Sequence, residues 1–128
     1  MRVLLDTHAL LWAAAGDPAL SAVARRYLTG KANEILVSVA TAWEITTKVR
    51  LGRLPDAAEL VEDLVSILRE AGYVLLPISA EHALRAGLLP GKHRDPFDRM
   101  LAAQALIEGI PLLSNDRALD AFGVRRVW

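Results

Sequence analysis

What most constrains this chain is an alternation. Four short apolar runs, Val3-Leu4-Leu5, Ile35-Leu36-Val37, Tyr73-Val74-Leu75-Leu76 and Pro111-Leu112-Leu113, are separated by stretches with helical spacing. An apolar run without polar alternation suits a strand covered on both faces. Between the runs, Ala9 to Ala15 reads as a helix closed by Gly16. Asp17-Pro18 opens the next, with Leu20, Val23, Ala24, Tyr27 and Leu28 at helical spacing. Val39 to Arg50 follows the second run. Asp56 caps a long helix, Ala57 to Ala71, with Leu60, Val61, Leu64, Ile67 and Leu68 on its apolar face. Ser79 caps a short helix to about Ala86. Asp95 caps Pro96 to Glu108, which Gly109 stops. Asn115 or Asp116 starts a small helix to Ala121, and a last strand runs from Val124 to Val127. Strands alternating with helices, with few hairpin signals, predict an α/β fold: a mostly parallel central sheet of four to five short strands flanked by helices. The 128 residues fit a single domain.

Composition removes several classes. The 15 basic and 15 acidic residues balance, so no global basic field marks a duplex binder. There is no cysteine, hence no disulfide framework and no thiolate zinc site. The opening apolar run is too short for a signal peptide, and none reaches the ~20 residues of a membrane span. The expectation is a cytoplasmic protein with no membrane partner. The hydrophobic share of 53% and the mean hydropathy of +0.28 are high. They imply a well-filled core or an apolar surface kept for a partner.

The acids carry the chemistry. In parallel α/β sheets, sites gather at the carboxyl ends of the strands. Asp6 directly follows the first strand, and Asp116 follows the fourth by a Ser114-Asn115 step. Glu44 lies roughly one and a half turns into the helix after the second strand. Asp98 sits in the first turn of the Pro96 helix. Each also has a structural role open to it. Asp6 and Asp116 can cap helices, Glu44 can pair with Lys48, and Asp98 can favour its helix dipole. Four carboxylates from distant segments at one sheet edge are less readily explained by capping alone.

Such carboxylates repel one another until a divalent cation fills the gap. Oxygen donors without cysteine suit Mg²⁺ or Mn²⁺. An ion of that kind polarises a phosphate and activates water, which makes phosphodiester hydrolysis the natural reaction. Thr7 and Ser114 add hydroxyls. Lys48, Arg50, Arg53, Lys92, His93, Arg94 and Arg99 lie near the acidic segments and are candidates for holding phosphates. With 5% aromatics no stacking surface for bases is evident, and the three tryptophans read as core or dimer surface.

Asp6-Thr7, the Trp43-Glu44 helix, Asp95-Pro96-Phe97-Asp98-Arg99-Met100-Leu101-Ala102-Ala103 and Ser114-Asn115-Asp116 together resemble the PIN-domain family, in particular VapC-like toxin ribonucleases of bacterial toxin–antitoxin pairs. The match runs through the whole chain in order. It implies a metal-dependent endoribonuclease whose acidic quartet is Asp6, Glu44, Asp98 and Asp116. It also implies an RNA substrate, a homodimer and a cognate antitoxin. Asp95 is assigned to the cap, with an indirect metal contact open to it.

Three other readings stand beside this one. A phosphatase of the haloacid dehalogenase type also begins with an aspartate after its first strand, but needs a second two residues on, where this chain has His8. A non-catalytic interaction module would use the acids only as caps. A PIN-type nuclease of RNA processing would act without an antitoxin.

Overall fold

The computed structural model describes all of residues 1–128. Five strands form one sheet: β1 (Arg2–Leu5), β2 (Glu34–Ser38), β3 (Val74–Leu76), β4 (Leu112–Leu113) and β5 (Arg126–Val127). Their order is β3-β2-β1-β4-β5, and every pairing is parallel. Seven α-helices flank it: α1 (Thr7–Ala15), α2 (Ala22–Thr29), α3 (Val39–Arg50), α4 (Ala58–Glu62), α5 (Leu64–Glu70), α6 (Ala80–Leu88) and α7 (Pro96–Glu108). Two 3₁₀ segments, Pro55–Ala57 and Arg117–Phe122, complete the chain.

The unbroken apolar strands are explained by what covers them. Successive side chains of a strand point to opposite faces. Val3, Leu5, Ile35, Val37 and Leu113 enter a core with Ala9, Leu10, Ala24, Ile45, Leu64 and Leu68. Leu4, Leu36, Leu76 and Leu112 enter a second core with Ala86, Leu101, Ala102, Ala105, Leu119 and Phe122. One layer therefore holds α1, α2 and α5, the other α6 and α7. Both faces are dry along β1, β2 and β4, where no polar alternation is tolerated, while Val74 on edge strand β3 stays exposed.

Strand order reverses at β1. From there the chain winds outward to β2 and β3, then returns to add β4 and β5 on the other side. The carboxyl ends of β1 and β4 flank this switch point, where parallel sheets open a crevice.

Three boundaries depart most from the sequence expectation. Asp17 commits its carboxylate to the Ala19 N–H of a tight turn at 2.8 Å. The helix then starts only at Ala22, where extended Ser21 accepts from the Ala24 N–H at 3.0 Å. The long helix from Ala57 is broken in two. Asp63, at φ −115° and ψ 16°, leaves helical geometry and re-aims the second half, so that Leu64 and Leu68 are buried while Leu60 and Val61 are only partly covered. Asp56 makes no cap bond there, because it lies inside the 3₁₀ turn. The last strand is reduced to Arg126–Val127, paired on one side only. No helix is long and apolar enough to cross a membrane.

Candidate active site

Asp6 leaves β1 with extended backbone and caps α1, its Oδ1 accepting from the Ala9 N–H at 2.8 Å. The capping role weighed for it is therefore present, yet it uses only one oxygen. The other accepts a hydrogen bond from the Ser114 hydroxyl, delivered from the end of β4. Asp6 is almost completely buried. That burial pushes its carboxyl above the usual range, against the bonds from Ser114 and Ala9 and the charge of His8, with nearby Glu44 adding to the rise.

Glu44 is 3% exposed and its two oxygens are both engaged. The Thr7 hydroxyl donates to Oε1 at 2.6 Å, and the Lys48 ammonium bonds Oε2 from one helical turn on. Thr41 lies 3.2 Å from the Thr7 hydroxyl and extends the chain of polar contacts. A buried carboxylate needs this, because an unpaired one would shed its charge.

At the start of α7 the two aspartates divide. Asp95 caps the helix, accepting from the N–H groups of Phe97 at 2.8 Å and Asp98 at 3.1 Å. Asp98 does not cap. Its Oδ2 lies 2.8 Å from His93 Nε2. Burial raises its carboxyl, opposed by the His93 bond, while the charges of Asp95 and Glu44 add to the rise. Asp116 is the exception among the acids. It stays exposed and caps the 3₁₀ segment through the Ala118 N–H at 2.9 Å.

These side chains meet. Asp6, Thr7, His8, Glu44, Lys48, Asp95, Asp98 and Asp116 line one cleft of about 100 Å³ at the switch point, with no hydrophobic residue in its wall. Larger hollows lie elsewhere, but the one between α1 and the segment 56–67 is mostly apolar and holds none of these acids. Chemistry rather than size identifies the site.

The donor set fits a hard divalent cation. It consists chiefly of carboxylates, with the Thr7 hydroxyl and the His8 imidazole beside them and no thiolate, and two of the carboxylates bear their charge unfavourably. As the side chains stand, no three acidic or imidazole groups form a ready ion-binding cluster. The internal donors Ser114, Lys48 and His93 hold the acids instead.

The basic residues separate into two groups. Arg50, Arg53, Lys92 and Arg94 are exposed and carry no ion pair. Arg99 is different from what its place in the sequence suggests. Its guanidinium donates to the carbonyls of Ala86 at 3.0 Å, His93 at 2.9 Å, Gly87 at 3.4 Å and Leu89, and lies over the Phe122 ring. With most of its five donors used on backbone, it ties the loop after α6 to α7 and is not a free phosphate contact. Lys48 likewise spends its charge on Glu44, though it faces the cleft.

Sequence reading missed Thr41, His8, Trp12 and Asn115. His8 and Trp12, four residues apart on α1, were legible as neighbours on one helix face. Their proximity to Asn115 and Asp116 was not, because β4 had first to be paired with β1.

No curated protein matches this sequence. Solved structures do match in fold. They include VapBC2 of Rickettsia felis bound to a promoter DNA fragment, at 20% identity over 99% of this chain and 98% of that one, with a TM-score of 0.69. VapBC-1 of nontypeable Haemophilus influenzae gives 17% identity, 99% and 97% coverage and a TM-score of 0.71. FitAcB of Neisseria gonorrhoeae gives 21% identity, 98% and 96% coverage and a TM-score of 0.61. The PIN domain family model matches residues 3–124. With a five-stranded parallel sheet whose switch point is lined by acids, and a family match spanning nearly every residue, this chain belongs to the PIN-domain family.

Proposed function

We propose that residues 1–128 act as one nuclease unit, a Mg²⁺- or Mn²⁺-dependent endoribonuclease that serves as the toxin of a toxin–antitoxin pair. The observation that carries the reading is the wholly polar cleft in which Asp6, Glu44, Asp98 and Asp116 share a wall. Those four would hold the cation. When bound, it would neutralise phosphate charge and activate water for attack on a phosphodiester.

The chain's own residues prepare that chemistry. Ser114 and the Ala9 N–H fix both oxygens of Asp6. Thr7 orients Glu44. Lys48 holds Glu44 from one helical turn on and lines the cleft beside it. Exposed Lys92 and Arg94, on the loop that carries His93 to Asp98, supply positive charge along the backbone of an RNA strand.

The partner assignment rests on likeness to the VapBC and FitAB complexes. The reading places the protein in the cytoplasm, bound by a cognate antitoxin. A homodimer is supported by apolar surface at α3, α6 and α7. Trp43, 61% exposed, packs edge-on against Phe97 beside a hollow lined by Ala40, Ile78 and Met100, and Leu84 and Leu88 also face water.

Purified protein is expected to cut RNA with Mg²⁺ or Mn²⁺ and to stop with EDTA. Second-shell changes at metal sites cost about 10–100-fold, so Asp6→Asn and Asp98→Asn should each lose at least ~100-fold. Cleavage that survives EDTA, or survives in both folded variants, would sink the assignment.

A further inference from the structure

A second hollow, of about 290 Å³, adjoins the acid cleft and shares Asp6, His8 and Asp116 with it. Its remaining wall is Trp12 and Asn115. The His8 and Trp12 rings lie 5.7 Å apart and tilted by 43°, and Trp128 continues the row behind Trp12 at 5.7 Å. His8 is the exposed end, while Trp12 and Trp128 are half-buried. The row is anchored in the core beneath and open at one end. Asn115 is exposed, and its side-chain amide makes no hydrogen bond within the chain. An aromatic face beside a free amide, which offers two donors and an acceptor, is the pairing that recognises a planar heterocycle with polar edges.

We propose that this hollow receives the base of an unpaired nucleotide next to the scissile phosphate, stacked on the His8–Trp12 row with its edge met by Asn115. The assignment deepens the nuclease reading and rests on it. The shared acids fix the arrangement: a phosphate in the cleft leaves its own nucleoside beside His8. A paired base is excluded, because its edge and both faces are already used in the duplex. The subsite therefore selects single-stranded loops or ends. It also revises the expectation that the tryptophans serve only core or dimer.

The test uses full-length protein carrying Asp98→Asn, which keeps RNA intact in magnesium buffer. Binding of a fluorescein-labelled single-stranded RNA decamer is followed by anisotropy, beside a ribose-phosphate decamer without bases. Adding His8→Ala removes an exposed ring and leaves the core untouched. It should weaken RNA binding at least fivefold, the low end of one base–aromatic stack, and leave the abasic decamer unchanged. Trp12→Leu should act in the same sense, with Trp12→Phe recovering most of the loss. Equal losses on both decamers, or none on either, would overturn the subsite. If wild-type protein cuts RNA while His8→Ala binds the decamer as its parent does, the subsite alone fails. If wild-type protein cuts no RNA and the parent binds neither decamer, the nuclease reading fails and takes the subsite with it.

Discussion

Asp6 and Asp98 show at the level of single residues what the site does to its own charges. Both carboxyls are raised chiefly by burial, and Glu44 adds to each. The folded chain thus takes up protons at a higher pH than the unfolded chain. Stability contributed by these groups is present at low pH and is lost as pH rises through the raised values. In metal-free buffer at neutral pH, Asp6→Asn and Asp98→Asn are expected to melt a few degrees above wild type. The gap should close toward the ordinary carboxylate pKa of about 4. Asparagine at position 6 keeps the oxygen that caps α1 but turns the acceptor of the Ser114 hydroxyl into a donor, so Asp98→Asn is the cleaner probe of charge. Thermal melts across that range check it, and a lower melting point for both variants at neutral pH would mean that the charges are net structural.

At the scale of elements, α7 is the piece on which the site is mounted. Pro96 and the capping Asp95 start it beside the strand-end crevice, and Gly109 ends it in left-handed geometry at φ 65°. Arg99 then holds the preceding loop down, and with it His93, which meets the Phe122 ring edge-to-face and bonds Asp98. Hydrogen bonds to charged groups are worth about 1.5–3 kcal/mol. Arg99→Ala should therefore lose about 2 kcal/mol in urea denaturation, since it abandons several carbonyls and a ring contact at once. An unchanged denaturation midpoint with weakened RNA binding would instead return Arg99 to the phosphate contacts.

For the molecule as a whole, the site exists because the sheet changes direction. Asp6 and Ser114 are 108 residues apart in sequence and hydrogen-bonded only because β1 and β4 are neighbours. A cation bound there would act on the entire fold, stabilising it by RT ln(1 + [L]/Kd), or about 2.7 kcal/mol at a hundredfold excess over Kd. Mn²⁺ or Mg²⁺ titrated into EDTA-treated protein should raise the melting point, and Asp98→Asn should abolish most of that rise. An equal rise in the variant would place the ion elsewhere.

The sequence by itself determined the class of fold and singled out the acids that the fold brings to one cleft. Val3-Leu4-Leu5 and its counterparts have no polar alternation, and only a sheet covered on both faces accommodates that. Val39–Arg50 and Pro96–Glu108 were readable to their ends, because Ser38, Asp95 and Gly109 are local signals acting on adjacent N–H and C=O groups. The break at Asp63 and the late start at Ala22 were not, since each is set by which apolar residues the neighbouring layer can bury. That Asp95 rather than Asp98 caps the helix was legible as well. What only the tertiary structure decided is who neutralises whom. Ser114 on Asp6, His93 on Asp98, Arg99 on four carbonyls and the His8–Trp12–Trp128 row all follow from distances between segments that a linear pattern does not contain. Local propensity acts over a few residues and is written in the sequence. The electrostatic partners of a buried charge are fixed by strand pairing and layer packing, and these are known only once the chain has closed on itself.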